Sequence, residues 1–177
     1  MLMHLSFERL VVVVFIGLLS LNSHAQNSKA HRAAKPPRTI LFVCEHGAAK
    51  SVIAAAYFDV LAKKHGLNYK AVFRGTKPDT SLSPSTEKGL KEDGISTNGW
   101  KPELVTQKNM DEASQIVTLG CLLPGEDAQA MKLAKWNEIP SVSEDYRAAR
   151  DEIKRRVQSL VDDLARKEKK RRKRPGH

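Results

Sequence analysis

The chain turns from a strand to a helix within one stretch, Val43-Cys44-Glu45-His46-Gly47-Ala48-Ala49-Lys50-Ser51. The apolar run over 39–44 lacks polar alternation, which is typical of a strand buried in a parallel sheet. A loop of small residues follows, and the apolar residues from Val52 onward predict a helix with Ser51 as its N-cap. A strand, a loop and a helix in this order predict an α/β architecture.

The segments beyond this junction repeat the alternation. Strands are predicted over 69–74, 115–119 and 132–136. One helix is predicted from Ser83-Pro84 to Gly94, and a long one from Ser143 to about Leu164. Together these elements predict one domain over 38–165. We expect an α/β three-layer sandwich with a central four-stranded parallel sheet and helices on both faces.

Composition and charge exclude several classes of protein. The chain is 41% hydrophobic and 28% charged, which suits one globular domain, and two cysteines exclude a disulfide-dense scaffold. The net charge is +10, but residues 36–165 hold 18 basic and 18 acidic residues. The excess lies mainly in 166–174, with eight basic residues and one acid. We therefore expect no specific nucleic-acid partner. The segment 166–177 is expected to be a disordered basic tail suited to an anionic surface.

The N-terminus has the pattern of a targeting segment. An apolar run over 10–21 is followed by Ser23-His24-Ala25, a small-x-small pattern typical of signal-peptidase sites. We therefore predict a signal peptide over 1–25, a linker over 26–37 and a periplasmic or secreted protein. The alternative is an uncleaved membrane anchor, although the run is shorter than the roughly 20 residues that span a bilayer.

The residues around Cys44 are suited to nucleophilic chemistry on an anion. Cys44 ends a predicted strand, and ligands of open α/β sheets bind beyond the carboxyl ends of the strands. Small loop residues let backbone amides approach an anion, and the following helix N-terminus favours negative charge. These groups and the Lys50 cation also favour the thiolate, which is the nucleophilic form. The predicted anion-binding residues are Glu45, His46, Gly47, Ala48, Ala49, Lys50 and Ser51.

The segment 43–51 resembles the phosphate loop of low-molecular-weight protein-tyrosine phosphatases and of thioredoxin-coupled arsenate reductases. Their loop is Cys, five residues, Arg, then Ser or Thr. Further similarity lies in Arg74-Gly75-Thr76, in the segment 82–95 and in Ile116-Val117-Thr118-Leu119, so the resemblance covers about 39–165. Three family features differ: Lys50 replaces the loop Arg, Gly47 replaces the loop Asn, and the Asp-Pro pair that carries the general acid is missing.

The resemblance implies a phosphomonoester hydrolase that forms a cysteinyl-phosphate on Cys44, and the predicted signal peptide makes this an exported enzyme. Lys50 would neutralise the phosphate, and an acid within 138–145 would protonate the leaving group. We take Asp145 as that acid, with Glu138 and Glu144 as alternatives. No metal and no other cofactor is expected, because the loop supplies the electrostatics. The substrate would be a phosphate-containing compound or another oxyanion, and the oligomeric state stays open.

Two alternative functions remain open at this point. Lys50 and the missing Asp-Pro pair favour a catalytically weak member of the family that binds phosphate or another oxyanion. An arsenate reductase would relay a disulfide, for which only Cys121 is left besides Cys44. Simpler interpretations also stand: Cys44 as a buried core thiol, His46 as an exposed loop residue and Cys121 as a small apolar filler. A reversible Cys44–Cys121 disulfide would instead silence the enzyme on oxidation.

Overall fold

A computed structural model of the chain describes residues 35–173. The predicted signal peptide over 1–25, residues 26–34 of the predicted linker and the tail end over 174–177 lie outside the described residues. The elements are β1 (Arg38–Cys44), α1 (Lys50–Lys64), β2 (Tyr69–Gly75), α2 (Pro84–Glu92), α3 (Gln107–Glu112), β3 (Ala113–Thr118), a 3₁₀-helix (Glu126–Lys132), β4 (Leu133–Lys135) and α4 (Tyr146–Lys173).

The sheet has four parallel strands in the order β2-β1-β3-β4. β1 pairs with β2 along its whole length, from Arg38 opposite Tyr69 to Cys44 opposite Gly75. On its other side β1 pairs with β3, with one shift in register near its start. Because the strands are parallel, Cys44 and the ends of its neighbours reach the same edge of the sheet. We refer to this edge as the carboxyl edge and to the opposite one as the amino edge.

The two faces of the sheet bury different side chains of β1, because successive residues of a strand point to opposite faces. Ile40, Phe42 and Cys44 lie in a core that α1, α2 and α4 cover. Leu41 and Val43 lie in a second, smaller core that includes Met110 of α3. The predicted three-layer α/β sandwich, with four parallel strands and helices on both faces, is confirmed.

α1 begins one residue earlier than predicted, and the predicted N-cap at Ser51 is wrong. Ala49 occupies the N-cap position of the helix and makes no side-chain capping hydrogen bond. Ser51 is a fully buried residue inside the first turn, and its hydroxyl contacts the Cys44 thiol instead of capping the helix. By contrast, the predicted cap at Ser83 is confirmed, since its side chain accepts a hydrogen bond from the Thr86 amide.

The long helix, α4, begins later than predicted. Ser143, its predicted N-cap, lies before the helix, and its hydroxyl oxygen is 2.9 Å from that of Ser141. Asp145 takes the capping role instead, because its carboxylate accepts a hydrogen bond from the Ala148 amide at 2.9 Å. The predicted apolar stripe of this helix is confirmed in its buried residues, Ala149, Ile153, Val157, Leu160, Val161 and Leu164.

α4 also ends later than predicted, since it continues to Lys173. The prediction of disorder is therefore wrong for 166–173. Glu168 provides the physical reason: its carboxylate pairs with Arg38 at the start of β1 and accepts a hydrogen bond from Tyr69 at 3.3 Å. These contacts tie the last turns of α4 to the sheet. No helix within the described part of the chain is long and apolar enough to span a membrane.

α3 and the 3₁₀-helix have no counterpart among the predicted elements. α3 has six residues, which is too short for a helical hydrophobic period to show. It is held by a capping box in which Thr106 and Asn109 exchange hydrogen bonds. This local exchange, and the burial of Met110 beneath the sheet, define the helix.

Candidate active site

The loop between β1 and α1, residues 45–49, is held in place by hydrogen bonds that backbone carbonyls of Cys44 and of the loop itself accept. Four backbone amides of the segment 76–83 supply the donors: Thr76 to Cys44 at 3.1 Å, Lys77 to Glu45 at 2.8 Å, Asp79 to His46 at 3.0 Å and Ser83 to Ala48 at 3.0 Å. In the described part of the chain, the amides of 46–49 donate to no backbone carbonyl. The loop is thus fixed through its carbonyl oxygens, and its amide N–H groups stay available to bind an anion.

Two glycines let this loop lie directly against the end of β2. A Cβ atom on Gly75 would lie 2.8 Å from the Gly47 nitrogen and 2.9 Å from the His46 carbonyl carbon. A Cβ atom on Gly47 would lie 2.8 Å from the Gly75 nitrogen. Gly47 also has a φ of +59°, in the left-handed region that favours glycine. The shape of the loop therefore requires glycine at both positions.

The Cys44 thiol lies at the positive end of α1. Its Sγ is 3.1 Å from the Ser51 hydroxyl, and both residues are buried. As the structure describes it, α1 begins without a side-chain cap and without an acidic residue in its first turn. The first amides of the helix are therefore unpaired, and together with the helix dipole they favour an anion beside Cys44.

A cavity of about 530 Å³ opens over this junction. Its walls are the loop and the start of α1, Asp79 and Ser83 from the segment after β2, Leu119-Gly120 after β3, and residues from 139–143. The residues predicted from the sequence that line it are Cys44, Glu45, His46, Ala48, Ala49 and Lys50. The other two predicted residues do not line the cavity: Gly47 shapes the loop, and Ser51 contacts the Cys44 thiol.

Lys50 joins two walls of the cavity. Its ammonium group donates a hydrogen bond to the carbonyl oxygen of Ile139 at 2.8 Å. An ammonium has three donors, so this bond leaves others for a bound anion. The predicted cation is therefore at the cavity, and it also fixes the segment 139–143.

Four titratable side chains are linked at the cavity mouth. The Nδ1 atom of His46 is 3.2 Å from the Asp79 carboxylate, and its Nε2 atom is 3.9 Å from the Glu45 carboxylate. Lys77 lies 3.5 Å from the other oxygen of Glu45. An imidazole between two carboxylates can hold a proton and pass it on. Across 35–173, no group of three His, Cys, Asp or Glu side chains is arranged to hold a metal ion.

The carboxylates predicted as the general acid do not line this cavity. Asp145 is exposed, and its carboxylate caps α4. Glu138 and Glu144 are also exposed and contribute nothing to the cavity wall. The structure therefore does not bring Asp145 to Cys44, because the capping bond orients its carboxylate toward the Ala148 amide. Arg74 likewise lies elsewhere, paired with Glu103 at 2.7 Å.

Cys121 lies near Cys44 without being bonded to it. Its thiol donates to the carbonyl oxygen of Val43 at 3.5 Å, and both cysteines are free. Burial raises the pKa of Cys121 to about 11, and the charge of Cys44 adds to this effect. Cys121 is thus a protonated thiol at neutral pH.

The sequence interpretation missed Asp79, Ser141 and Ser143 among the cavity residues. Asp79 lies in the loop that follows β2, and this place at the carboxyl edge of the sheet is the signal that could have identified it. The two serines carry no signal, because the segment 139–143 reaches the cavity only through tertiary contacts such as Lys50 to Ile139.

Comparison with solved structures places this fold among phosphatases and arsenate reductases. Arsenate reductase from Archaeoglobus fulgidus is 29% identical, with a TM-score of 0.56, over 70% of this chain and 98% of that one. YwlE arginine phosphatase from Geobacillus stearothermophilus is 21% identical, with a TM-score of 0.63, over 80% and 100%. The low-molecular-weight protein tyrosine phosphatase from T. tengcongensis is 16% identical, with a TM-score of 0.64, over 71% and 99%.

Sequence comparison gives a second line of evidence. A search of curated proteins finds no match. The family model for low molecular weight phosphotyrosine protein phosphatases, however, matches residues 39–134, which is more than half of the chain. The matched range includes β1, the loop, α1 and β2, the elements that hold Cys44 and fasten its loop. The chain therefore belongs to the low-molecular-weight phosphotyrosine protein phosphatase family.

Proposed function

We propose that this protein is an exported phosphomonoester hydrolase that acts through a cysteinyl-phosphate on Cys44. The main support is the placement of the Cys44 thiol, 3.1 Å from the Ser51 hydroxyl and at the uncapped N-terminus of α1. A thiolate there faces unpaired amides that can bind the oxygens of a phosphate. The family and fold support the coarser statement, a phosphatase-like or arsenate-reductase-like activity.

The reaction has two displacements. The Cys44 thiolate attacks phosphorus, so that an S–P bond forms while the bond to the leaving oxygen breaks. The leaving oxygen takes up one proton from an acid in the cavity. Water then attacks phosphorus, the S–P bond breaks, phosphate leaves and the thiolate is restored, while the proton of the water returns to the same group. Loop amides and Lys50 stabilise the equatorial oxygens in both steps.

His46 is the group we assign to that proton transfer. It lines the cavity, and its Nδ1 faces the Asp79 carboxylate at 3.2 Å. Its Nε2, which lies 3.9 Å from the Glu45 carboxylate, is the nitrogen that would serve a leaving group. The Asp79 carboxylate orients the ring. Asp145, the acid that the family resemblance suggested, caps α4 instead.

The exported part of the proposal depends on the N-terminal sequence alone. The apolar run over 10–21 and the pattern Ser23-His24-Ala25 support cleavage after Ala25. Expression of the full chain in a bacterial host, followed by fractionation and N-terminal sequencing, tests it. A periplasmic product that starts at Gln26 is expected, and an uncleaved chain in the membrane fraction would support the anchor instead.

The catalytic proposal is tested with p-nitrophenyl phosphate and vanadate. We expect turnover that vanadate inhibits, and Cys44→Ser should lower turnover by about a thousandfold or more, because a serine hydroxyl lacks an accessible anion. Cys121→Ser is the matched control and should keep its activity, since Cys121 takes no part in hydrolysis. If the native protein binds vanadate without turnover, the chain is an oxyanion-binding protein and hydrolysis is excluded.

Arsenate reduction is a second candidate because Cys121 lies next to the nucleophile. Cys44 would attack arsenic with loss of water, and Cys121 would then attack the Cys44 sulfur, releasing arsenite and forming a disulfide that a dithiol reductant reopens. The raised pKa of Cys121 disfavours this role, since a protonated thiol is a poor nucleophile. Arsenate-dependent dithiothreitol consumption that disappears in Cys121→Ser would favour the reductase; no consumption favours the hydrolase.

A further inference from the structure

The amino edge of the sheet, opposite the cavity, is where the two longest helices end. α1 starts at the phosphate-loop junction, and α4 starts directly after the cavity segment 139–143, so both run back toward the amino edge. Glu168 of α4 lies at the amino edge, because it contacts Arg38 and Tyr69 at the starts of β1 and β2. The chain itself enters the domain there, at Arg38.

This edge carries a concentration of exposed positive charge. α1 ends with exposed Lys63 and Lys64, and Lys70 is exposed near the start of β2. Between 166 and 173, α4 presents seven exposed basic side chains against a single acid, Glu168, which is already paired. We call these residues, Lys63, Lys64, Lys70 and the basic residues of 166–173, the basic pole. Neither the cavity nor the proposed reaction uses them.

We propose that the basic pole docks this protein onto an anionic lipid surface with the cavity facing away from the bilayer. Clusters of four to eight Lys and Arg residues on an amphipathic helix are a pattern that anionic headgroups attract. α4 is such a helix, because its buried apolar stripe is followed by the seven exposed basic residues of 166–173. The docking does not need the apolar run over 10–21, which the proposed cleavage after Ala25 removes.

The pole is less suited to nucleic acid. Single-stranded nucleic acid is bound by a basic groove with aromatic rings on which bases stack. The ring of Tyr69 at this edge is covered by the Arg38 guanidinium, whose carbon lies 4.3 Å from the ring centroid. No aromatic residue occurs between 166 and 173, in the stretch of α4 that the structure describes there. A basic surface without aromatic rings for stacking is better suited to lipid headgroups than to single-stranded nucleic acid.

The docking is tested by flotation of the expected exported product, the chain from Gln26 onward, with vesicles. The vesicles contain either phosphatidylcholine alone or phosphatidylcholine with 30% phosphatidylglycerol. The test variant changes Lys167, Lys169, Lys170 and Arg172 to Gln, four exposed residues for which the structure shows no ion pair within 35–173. At roughly fivefold for each of the four basic residues, we expect a loss of anionic-vesicle affinity on the order of several hundredfold. Salt should weaken binding of the native chain, because it screens the charges.

A matched variant changes four exposed basic residues away from the pole, Lys88, Lys91, Lys101 and Arg147, to Gln. It has the same net charge as the test variant but keeps the basic pole, so it should bind anionic vesicles within about twofold of the native chain. Equal binding of both variants would overturn the proposal. So would a higher affinity of the native chain for duplex DNA than for the anionic vesicles. Unchanged p-nitrophenyl phosphate turnover in the test variant separates this result from the catalytic proposal.

Discussion

Lys50 carries a positive charge at the cavity and also fixes its wall through one ammonium group. Lys50→Ala removes both the charge and the 2.8 Å bond to the Ile139 carbonyl. We expect vanadate affinity to fall tenfold or more, since a hydrogen bond with a charged group contributes about 1.5–3 kcal/mol. Lys50→Arg should preserve affinity, because a guanidinium can hold two oxygens at once. Inhibition constants measure both, and Lys77→Ala, which removes an exposed cation near the mouth, should change little.

Substrates with different leaving groups distinguish His46 from Asp145 as the general acid. If His46 donates the proton, His46→Asn should slow hydrolysis of alkyl phosphates about 100-fold but that of p-nitrophenyl phosphate much less, since nitrophenolate leaves without protonation. Asp145→Asn should leave that ratio unchanged, because the Asp145 carboxylate caps α4. The dependence of kcat on leaving-group pKa measures the effect. A steeper dependence in Asp145→Asn and not in His46→Asn would reverse the assignment.

At the scale of elements, the end of β2 determines the shape of the loop in the strand–loop–helix unit around Cys44. Gly75→Ala places a Cβ atom 2.8 Å from the Gly47 nitrogen, so the loop must move. We expect a loss of stability of about 1–3 kcal/mol, as for other overpacked sites, together with loss of vanadate binding. Urea unfolding and inhibitor titration test this pair of effects.

Gly66→Ala is the control for Gly75→Ala. Gly66 has a φ of +61° but open space around it, so alanine costs about 1–2 kcal/mol of backbone strain and displaces nothing. Its vanadate affinity should therefore stay native. Loss of binding in both variants would show that lowered stability, and not displacement of the loop, causes the effect.

At the scale of the whole molecule, one carboxylate joins three helices. Asp93, at the end of α2, accepts hydrogen bonds from Tyr57 of α1 at 2.8 Å, Tyr146 of α4 at 2.8 Å and Arg150 of α4 at 2.9 Å. Burial alone would raise the pKa of Asp93, but the hydrogen bonds from the two tyrosines and the charge of Arg150 outweigh it and lower that pKa. The charged form of Asp93 thus stabilises the packing of α1, α2 and α4.

The lowered pKa of Asp93 predicts how the stability of the fold depends on pH. Its contribution is fully present above about pH 4, the ordinary pKa of an unfolded aspartate, and is lost as pH falls through the lower folded value. Asp93→Asn should therefore cost about 1–3 kcal/mol at pH 7 and progressively less below pH 4. Urea unfolding at both pH values measures this, and a cost that does not depend on pH would contradict it.

The sequence alone was enough for the architecture and for much of the site. Strands of buried apolar residues and helices with an apolar stripe can be recognised from short stretches of sequence, because burial on one or both faces sets the spacing of their apolar residues. Cys44 and the residues around it were found because a strand end, small residues and a helix start are adjacent in the chain. The cap at Ser83-Pro84 was predictable for the same reason.

Tertiary contacts decided what the local pattern could not. Ser51 reads as an N-cap, yet burial against Cys44 gives its hydroxyl another partner. Residues 166–173 have the composition of a disordered tail, yet Glu168 holds them in α4 through Arg38, which lies 130 residues away in the chain. Asp79 and the segment 139–143 join the cavity only when β2 and α4 are packed. Such contacts form between residues far apart in sequence, so no local period or cap records them.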